Sequence, residues 1–193
     1  MKLSKSSESS EHFDLTYSNE PASGYVLILE LDDHHLKACW YHQSKRLITG
    51  FAEYNLQGGS FPSALSSLLQ SHSFLKSEFQ QTIISFRNAN YSIIPRSTDD
   101  LKNHDWFELG NEINDETEVL LEHNLVNLRS KVLFAIDSEI ESSLKFSFLN
   151  TIIIPHIAPL VESGMNEVQH SISQAKMIVH LSKDHLDIII FKD

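Results

Sequence analysis

The sequence predicts an α/β protein with strands running in both directions, and three observations carry that prediction. Residues 25 to 54 hold three apolar runs joined by the four-residue turns "DDHH" and "QSKR", too short for a crossover and therefore antiparallel. After "NLQGGS" the pattern changes from strand to helix, with Phe61, Ala64, Leu65, Leu68 and Leu69 recurring at the spacing of one helical face. Finally, "VLILELDDHHLKACWY" (Val26 to Tyr41) is echoed near the other end by "KMIVHLSKDHLDIIIF" (Lys176 to Phe191).

The elements follow in order. Residues 1 to 22 are rich in Ser and Glu and poor in apolar groups, so they read as a disordered tail that cannot offset its ordering entropy. "YVLILEL" is apolar on both faces, the mark of a central strand. "LKACWYH" and "LITGFAEY" complete an antiparallel meander. In the helix opening at Phe61, Ser60 is placed to cap and Pro62 suits the first turn. Leu65 and Leu68 are expected on its buried face, Ser66 and Ser67 on its open one. "QTIISF" and "YSIIP" return to strand. "STDDLKNHDWFELG" reads as a short helix capped by Thr98, with acids in its first turn and Gly110 at its end. "ETEVLLEHNLV" and "RSKVLFAI" form a strand pair. Asp137 caps a second long helix, "DSEIESSLKFSFL", with Ile140, Leu144 and Phe148 along one side. "NTIIIP" is a strand, "HIAPLVES" a brief helix with Pro159 near its start, and "AKMIVHLSKDHLDIIIF" a closing hairpin.

Fifteen Lys and Arg stand against 26 Asp and Glu, a formal charge of −11 over 193 residues. Phosphate backbones and anionic lipids are bound by cations, so neither nucleic acid nor membrane is the expected partner. Aliphatic runs such as "VLIL" and "III" fall far short of the roughly 20 residues of a membrane helix. "MKLSKSSESSEHFD" lacks the apolar middle section of an export signal. A single cysteine, Cys39, excludes a disulfide within the chain and suits a reducing cytoplasm, the expected location. Among apolar neighbours it reads as a small core residue.

Shifted by 150 positions, Ile28 falls on Ile178, Leu31 on Leu181, His35 on His185 and Leu36 on Leu186, and the turns coincide as well as the strands. An α/β chain that restarts its opening hairpin in this way resembles the actin-like ATPase superfamily. Members of that superfamily have two lobes, each on a ribonuclease H-like core of three antiparallel strands, a helix, and further strands and helices. "VLILELDDHHLKACWY", "TIISFRNANYSIIPRS" and "VLFAIDSEIESSLKFSF" with "IIIPHIAPLV" are similar, more closely, to an uncharacterised bacterial family with this fold. They are similar, more distantly, to the actin-like proteins of pilus assembly and type II secretion. The resemblance covers roughly residues 24 to 191. It implies a ribonuclease H-like, actin-ATPase-type lobe with a mixed sheet over residues 23 to 174, then at 175 to 193 the opening hairpin of a second, incomplete lobe.

In active members of that superfamily both opening hairpins wrap around the nucleotide phosphates, and their turns carry an Asp followed by glycines. A residue without a side chain lets backbone N–H groups come close to a phosphate. Here "LDDHHLK" and "SKDHLDI" offer Asp32 and Asp33, and Asp184 and Asp187, at the implied nucleotide-binding turns, but no glycine. The six glycines stand at 24, 50, 58, 59, 110 and 164. Acidic turns without glycine or a nearby pair of donors repel triphosphate unless a magnesium ion intervenes. "QGGS" precedes a helix N-terminus but lacks the Walker lysine and its spacing, so it reads as a turn and helix start.

Eleven histidines invite a metal reading. His34 and His35 are adjacent and point in different directions. His180 and His185 flank one turn, with Asp184 between them. A dedicated metal site draws three or four ligands with outer support, so these four read as solvated turn residues instead. Nuclease chemistry on a ribonuclease H-like core needs several carboxylates around two metal ions. Glu30 and Asp32, two apart, share one face of the first strand, and Glu53 is the third acid on offer. No Ser–His–Asp or Cys–His motif stands out.

These features combine into a non-catalytic actin-like binding or assembly module, one that has lost the phosphate-binding glycines and takes no cofactor. The alternatives are an ATP-binding actin-like ATPase or kinase, which would use MgATP, and a metal-dependent ribonuclease H-like nuclease. The expected partner is a protein or a second copy of the chain met through the terminal hairpin, with Trp106, Phe107 and Ile189 as contacts.

Overall fold

Six strands hydrogen-bond in the order β1 (Ser10–Phe13), β4 (Leu47–Asn55), β3 (His35–His42), β2 (Tyr25–Leu31), β5 (Gln81–Phe86) and β9 (Thr151–Pro155). The computed structural model describes residues 10–13, 21–32, 35–56, 59–87, 90–96, 102–169, 175–181 and 186–192. β2, β3 and β4 form the expected antiparallel meander, and β5 lies parallel to β2, so the sheet is mixed. The parallel step follows from the crossover through α1 (Phe61–Ser71), which carries the chain back to the starting edge of the sheet. β2 is covered on both faces, with Val26, Leu27, Leu29 and Leu31 buried. Ser10–Phe13 lies within the stretch whose composition reads as a tail. It pairs with Gly50 to Glu53 of β4, because an open sheet edge supplies backbone partners that composition does not register.

In α1, Ala64, Leu65 and Leu69 are buried, Ser66 and Ser67 are exposed, and Leu68 is half-buried at the border of the stripe. Ser60 stands at the cap position but its side chain makes no capping bond, while Pro62 occupies the first turn. α3 (Ser138–Ser147) is capped as its sequence predicts: the Asp137 carboxylate accepts the N–H groups of Glu139 and Ile140 at 2.8 and 3.1 Å. Leu144 and Phe148 are buried behind it. These elements belong to the first of two compact units, built from residues 1–87, 115–119 and 136–154.

The second unit comprises residues 88–114, 120–135 and 155–193. Its three-stranded sheet runs β6 (Tyr91–Pro95), β8 (Ser130–Asp137), β7 (Glu118–Leu125). β8 is covered on both faces. Val132 packs with Leu125 and with Ile157, Ala158 and Val161 of α4 (Ile157–Gln169). Leu133 and Ala135 face the other way, against Ile94 and Phe107 of α2 (Asn103–Glu108). The expected Thr98 cap lies outside the described residues; α2 begins at Asn103, where the Asp105 carboxylate accepts the Lys102 N–H at 3.2 Å. α4 runs on to Gln169, past the "HIAPLVES" that the sequence reads as a brief helix. Its Pro159 is in the first turn, where a missing N–H costs nothing.

β10 (Ala175–Leu181) and β11 (Leu186–Lys192) form a separate two-stranded sheet, not an extension of the sheet that holds β2. The echo in sequence is an echo in register. Ile28 pairs with Cys39 and Ile178 with Ile189, while Leu31 pairs with Leu36 and Leu181 with Leu186. One face of this hairpin packs on α4 through Ile178, Ile189 and the buried ring of Phe191. Gly164 makes that seat possible, since a Cβ there would strike the Phe191 ring and the end of Ile178. Among the described residues, no helix is long and apolar enough to cross a membrane.

Candidate functional site

The end of β2 delivers the acids that the sequence offers for chemistry, and β3 and β5 deliver cations to them. Glu30 pairs across the ladder with Lys37, and its Oε1 accepts from Lys37 Nζ at 3.2 Å. The parallel register places Phe86 beside Leu31, so Arg87 emerges next to both acids. Its Nη2 donates to Glu30 Oε1 at 2.7 Å and its Nη1 to Asp32 Oδ2 at 3.4 Å. Asp32 also closes the turn, its Oδ1 accepting the His35 N–H at 2.7 Å and lying 3.1 Å from His35 Nδ1. Two carboxylates and two cations thus form one nearly neutral cluster, with the guanidinium largely shielded from solvent at 13% exposure. Asp33 and His34 lie outside the described residues.

Such a cluster is poorly disposed to hold a divalent ion, because a carboxylate already engaged by a guanidinium must surrender that partner before it can coordinate metal. Glu53, the third acid weighed for metal chemistry, stands opposite Lys37 on β4. It is two strands from Glu30, about 10 Å at the ordinary strand spacing, with a lysine between them. Two-metal chemistry needs ions about 4 Å apart.

The second hairpin is arranged differently. Asp184 and His185 lie outside the described residues. Asp187, expected at a nucleotide turn, points inward at 14% exposure, and its Oδ2 lies 3.1 Å from His180 Nδ1 and 3.3 Å from His156 Nε2. His156 is itself buried, just ahead of α4, with the Tyr91 ring edge-on to it at 6.1 Å. Burial pushes the Tyr91 phenol up, and the charge of Asp187 adds to the effect. Sequence offers no sign of His156, since only the fold brings it to Asp187. His35 and His180 each have a carboxylate as neighbour, Asp32 and Asp187 respectively. A further trio among the described residues, His104, Asp105 and Glu108, is on the surface of the six-residue α2.

All three expected contacts pack inward. Phe107 is fully buried and Trp106 packs beside it against the β6–β8–β7 sheet, because the short α2 has no other apolar residues with which to attach itself. The exposed apolar group at the end of that helix is Leu109. Ile189 faces α4 with Phe191, and the outward positions of β11 are Leu186, Ile188 and Ile190. Cys39 is half-buried in β3, where burial pushes its thiol up and keeps it protonated.

No curated protein gives a significant match to the chain. Among solved structures, it is similar to a protein from Bacteroides thetaiotaomicron VPI-5482 described as having an actin-like ATPase fold and unknown function. The TM-score is 0.77 at 17% identity, over 89% of this chain and 66% of that one. At this identity the likeness shows the fold, and the chain spans just under two thirds of its neighbour's length. The actin-like ATPase fold expected from the sequence is therefore the fold of this protein. A family model covers residues 14–193, and the chain belongs to that family, DUF3822, described as protein of unknown function.

Proposed function

We propose that this protein is a non-catalytic actin-like module whose role is binding or assembly. The observation that supports the reading best is the cluster at the end of β2: Arg87 and Lys37 already neutralise Glu30 and Asp32 where the resemblance implies a magnesium-bound phosphate. A guanidinium neutralised by two acids has little charge left to attract a phosphate, and acids held by a guanidinium must give it up before they anchor a metal. The absence of glycine from "LDDHHLK" removes the close backbone approach that would compensate.

Thermal melting with and without ligand tests this reading. A ligand that binds only the folded state stabilises it by about 2.7 kcal/mol at 100-fold excess over Kd. The expected result is no change of melting temperature at millimolar MgATP. A clear rise with MgATP but not with magnesium alone would establish the ATPase or kinase alternative. A rise with magnesium alone would favour metal-dependent chemistry and the nuclease alternative.

A further inference from the structure

The terminal hairpin shows solvent a face that is apolar at every described position from 177 to 181 and from 186 to 190. Met177, Val179 and Leu181 stand directly opposite Ile190, Ile188 and Leu186, and all six are between 45% and 77% exposed. Together they present on the order of 600 Å² of apolar surface, the upper end of what an ordinary monomer shows in its largest patch. In the matching hairpin of the first unit the equivalent positions are Leu27, Leu29 and Leu31 opposite Trp40, Ala38 and Leu36, and each of these is fully buried. The same ladder is thus covered in one copy of the repeat and bare in the other. Beside it, an apolar groove of about 360 Å³ runs from Ile190 past Met165 and Val168 to Ile93 on β6, an edge strand.

We propose that this face is the interface of a two-fold symmetric dimer, hairpin against hairpin. This deepens the assembly reading above and rests on it for the biological role, although association can be measured without any nucleotide. Three arguments favour a second copy as the occupant. Two such faces pressed together remove on the order of 1,200 Å² from solvent, the lower bound for a specific stable interface. An isologous contact needs a self-complementary surface, and a ladder of three apolar pairs meets that need about an axis near Val179 and Ile188. Its six described positions also carry no acid with which to select a cationic partner, despite a net charge of −11 on the chain. That charge makes two copies repel at long range, so the dimer tightens as salt screens them.

Sedimentation over a range of protein concentrations, at low and high salt, tests the proposal. The expected result is a monomer–dimer equilibrium that strengthens with salt and collapses to monomer in Ile188→Glu with Ile190→Glu. Because that variant can also loosen the hairpin, a second measurement uses Ile188→Cys. Near the two-fold axis it should oxidise to a disulfide-linked dimer, while Ile189→Cys, on the inward face, should link no better than wild type with its native Cys39. Wild type that stays monomeric at high salt overturns the proposal, as does a dimer unaffected by the double substitution, open-ended oligomers, or equal linking at 188 and 189. A dimer that also melts higher with MgATP would leave this interface standing and remove the non-catalytic reading.

Discussion

Arg87 reaches Glu30 and Asp32 across 57 and 55 positions of sequence, and it gives the end of β2 its character. Replacing it with alanine strands two acids on one strand face with Lys37 as their remaining cation on the ladder. The expected cost is about 2 kcal/mol, the scale of a hydrogen bond to a charged group. Without the guanidinium, and with only Lys37 and the His35 N–H named on them, the two carboxylates have oxygens to offer a divalent ion. Arg87→Ala should therefore melt higher when millimolar magnesium is added, while wild type does not respond. An Arg87→Ala protein indifferent to magnesium would show that the guanidinium does not hold the place of a metal. At this scale the sequence displays the acids of the turn but not their partners. Asp32 is visible because turns favour aspartate; Arg87 and His156 are invisible because only strand register and chain reversal bring them near.

Local periodicity was enough to place most elements, and its misses have physical causes. In α1 the apolar spacing located the helix, but it did not separate Leu65 and Leu69, which are buried, from Leu68, which sits at the edge of the stripe. Leu65→Ala should cost about 2–5 kcal/mol in urea unfolding, and Leu68→Ala distinctly less. Ser67→Ala should be silent or slightly stabilising, since alanine is the better helix former and the serine side chain is exposed. Similar losses at 65 and 67 would mean that the helix presents another face to the sheet. Trp106 and Phe107 were misread because a polar six-residue helix looks like surface in sequence, yet it needs bulky anchors to stay attached. α4 runs beyond "HIAPLVES" to Gln169, and the glycine at 164 within it leaves room for the Phe191 ring.

At the scale of the molecule, the meander and the repeated hairpin are legible because one is short-range and the other repeated. The division into units is not: each unit is assembled from three separate segments, and residues 23 to 174 draw on both. No local pattern announces which strand a returning chain will join. The sheet order does make a prediction. β2 is hydrogen-bonded to β3 on one side and β5 on the other, with both faces covered, whereas β10–β11 is a two-stranded ladder with one bare face. Amides of Leu27 to Leu31 should exchange most slowly, at the rate set by global unfolding, and those of β10–β11 through local opening. Equal protection in the isolated hairpin and in β2 would contradict this ranking, unless dimerisation protects the hairpin, which dilution would reveal.

Gly164 has a consequence beyond the room it makes. The inward face is the less apolar of the two: it sets Ile178, Ile189 and Phe191 beside His180 and Asp187, while Met177, Val179, Ile188 and Ile190 turn outward. Hydrophobicity alone would turn the other set inward, and a slip of one residue exchanges them entirely. The missing side chain at 164 decides by shape instead, because the Phe191 ring seats there with its own face down. A single hydrogen atom on α4 thereby acts as the index mark that selects which set of side chains the protein shows to the outside.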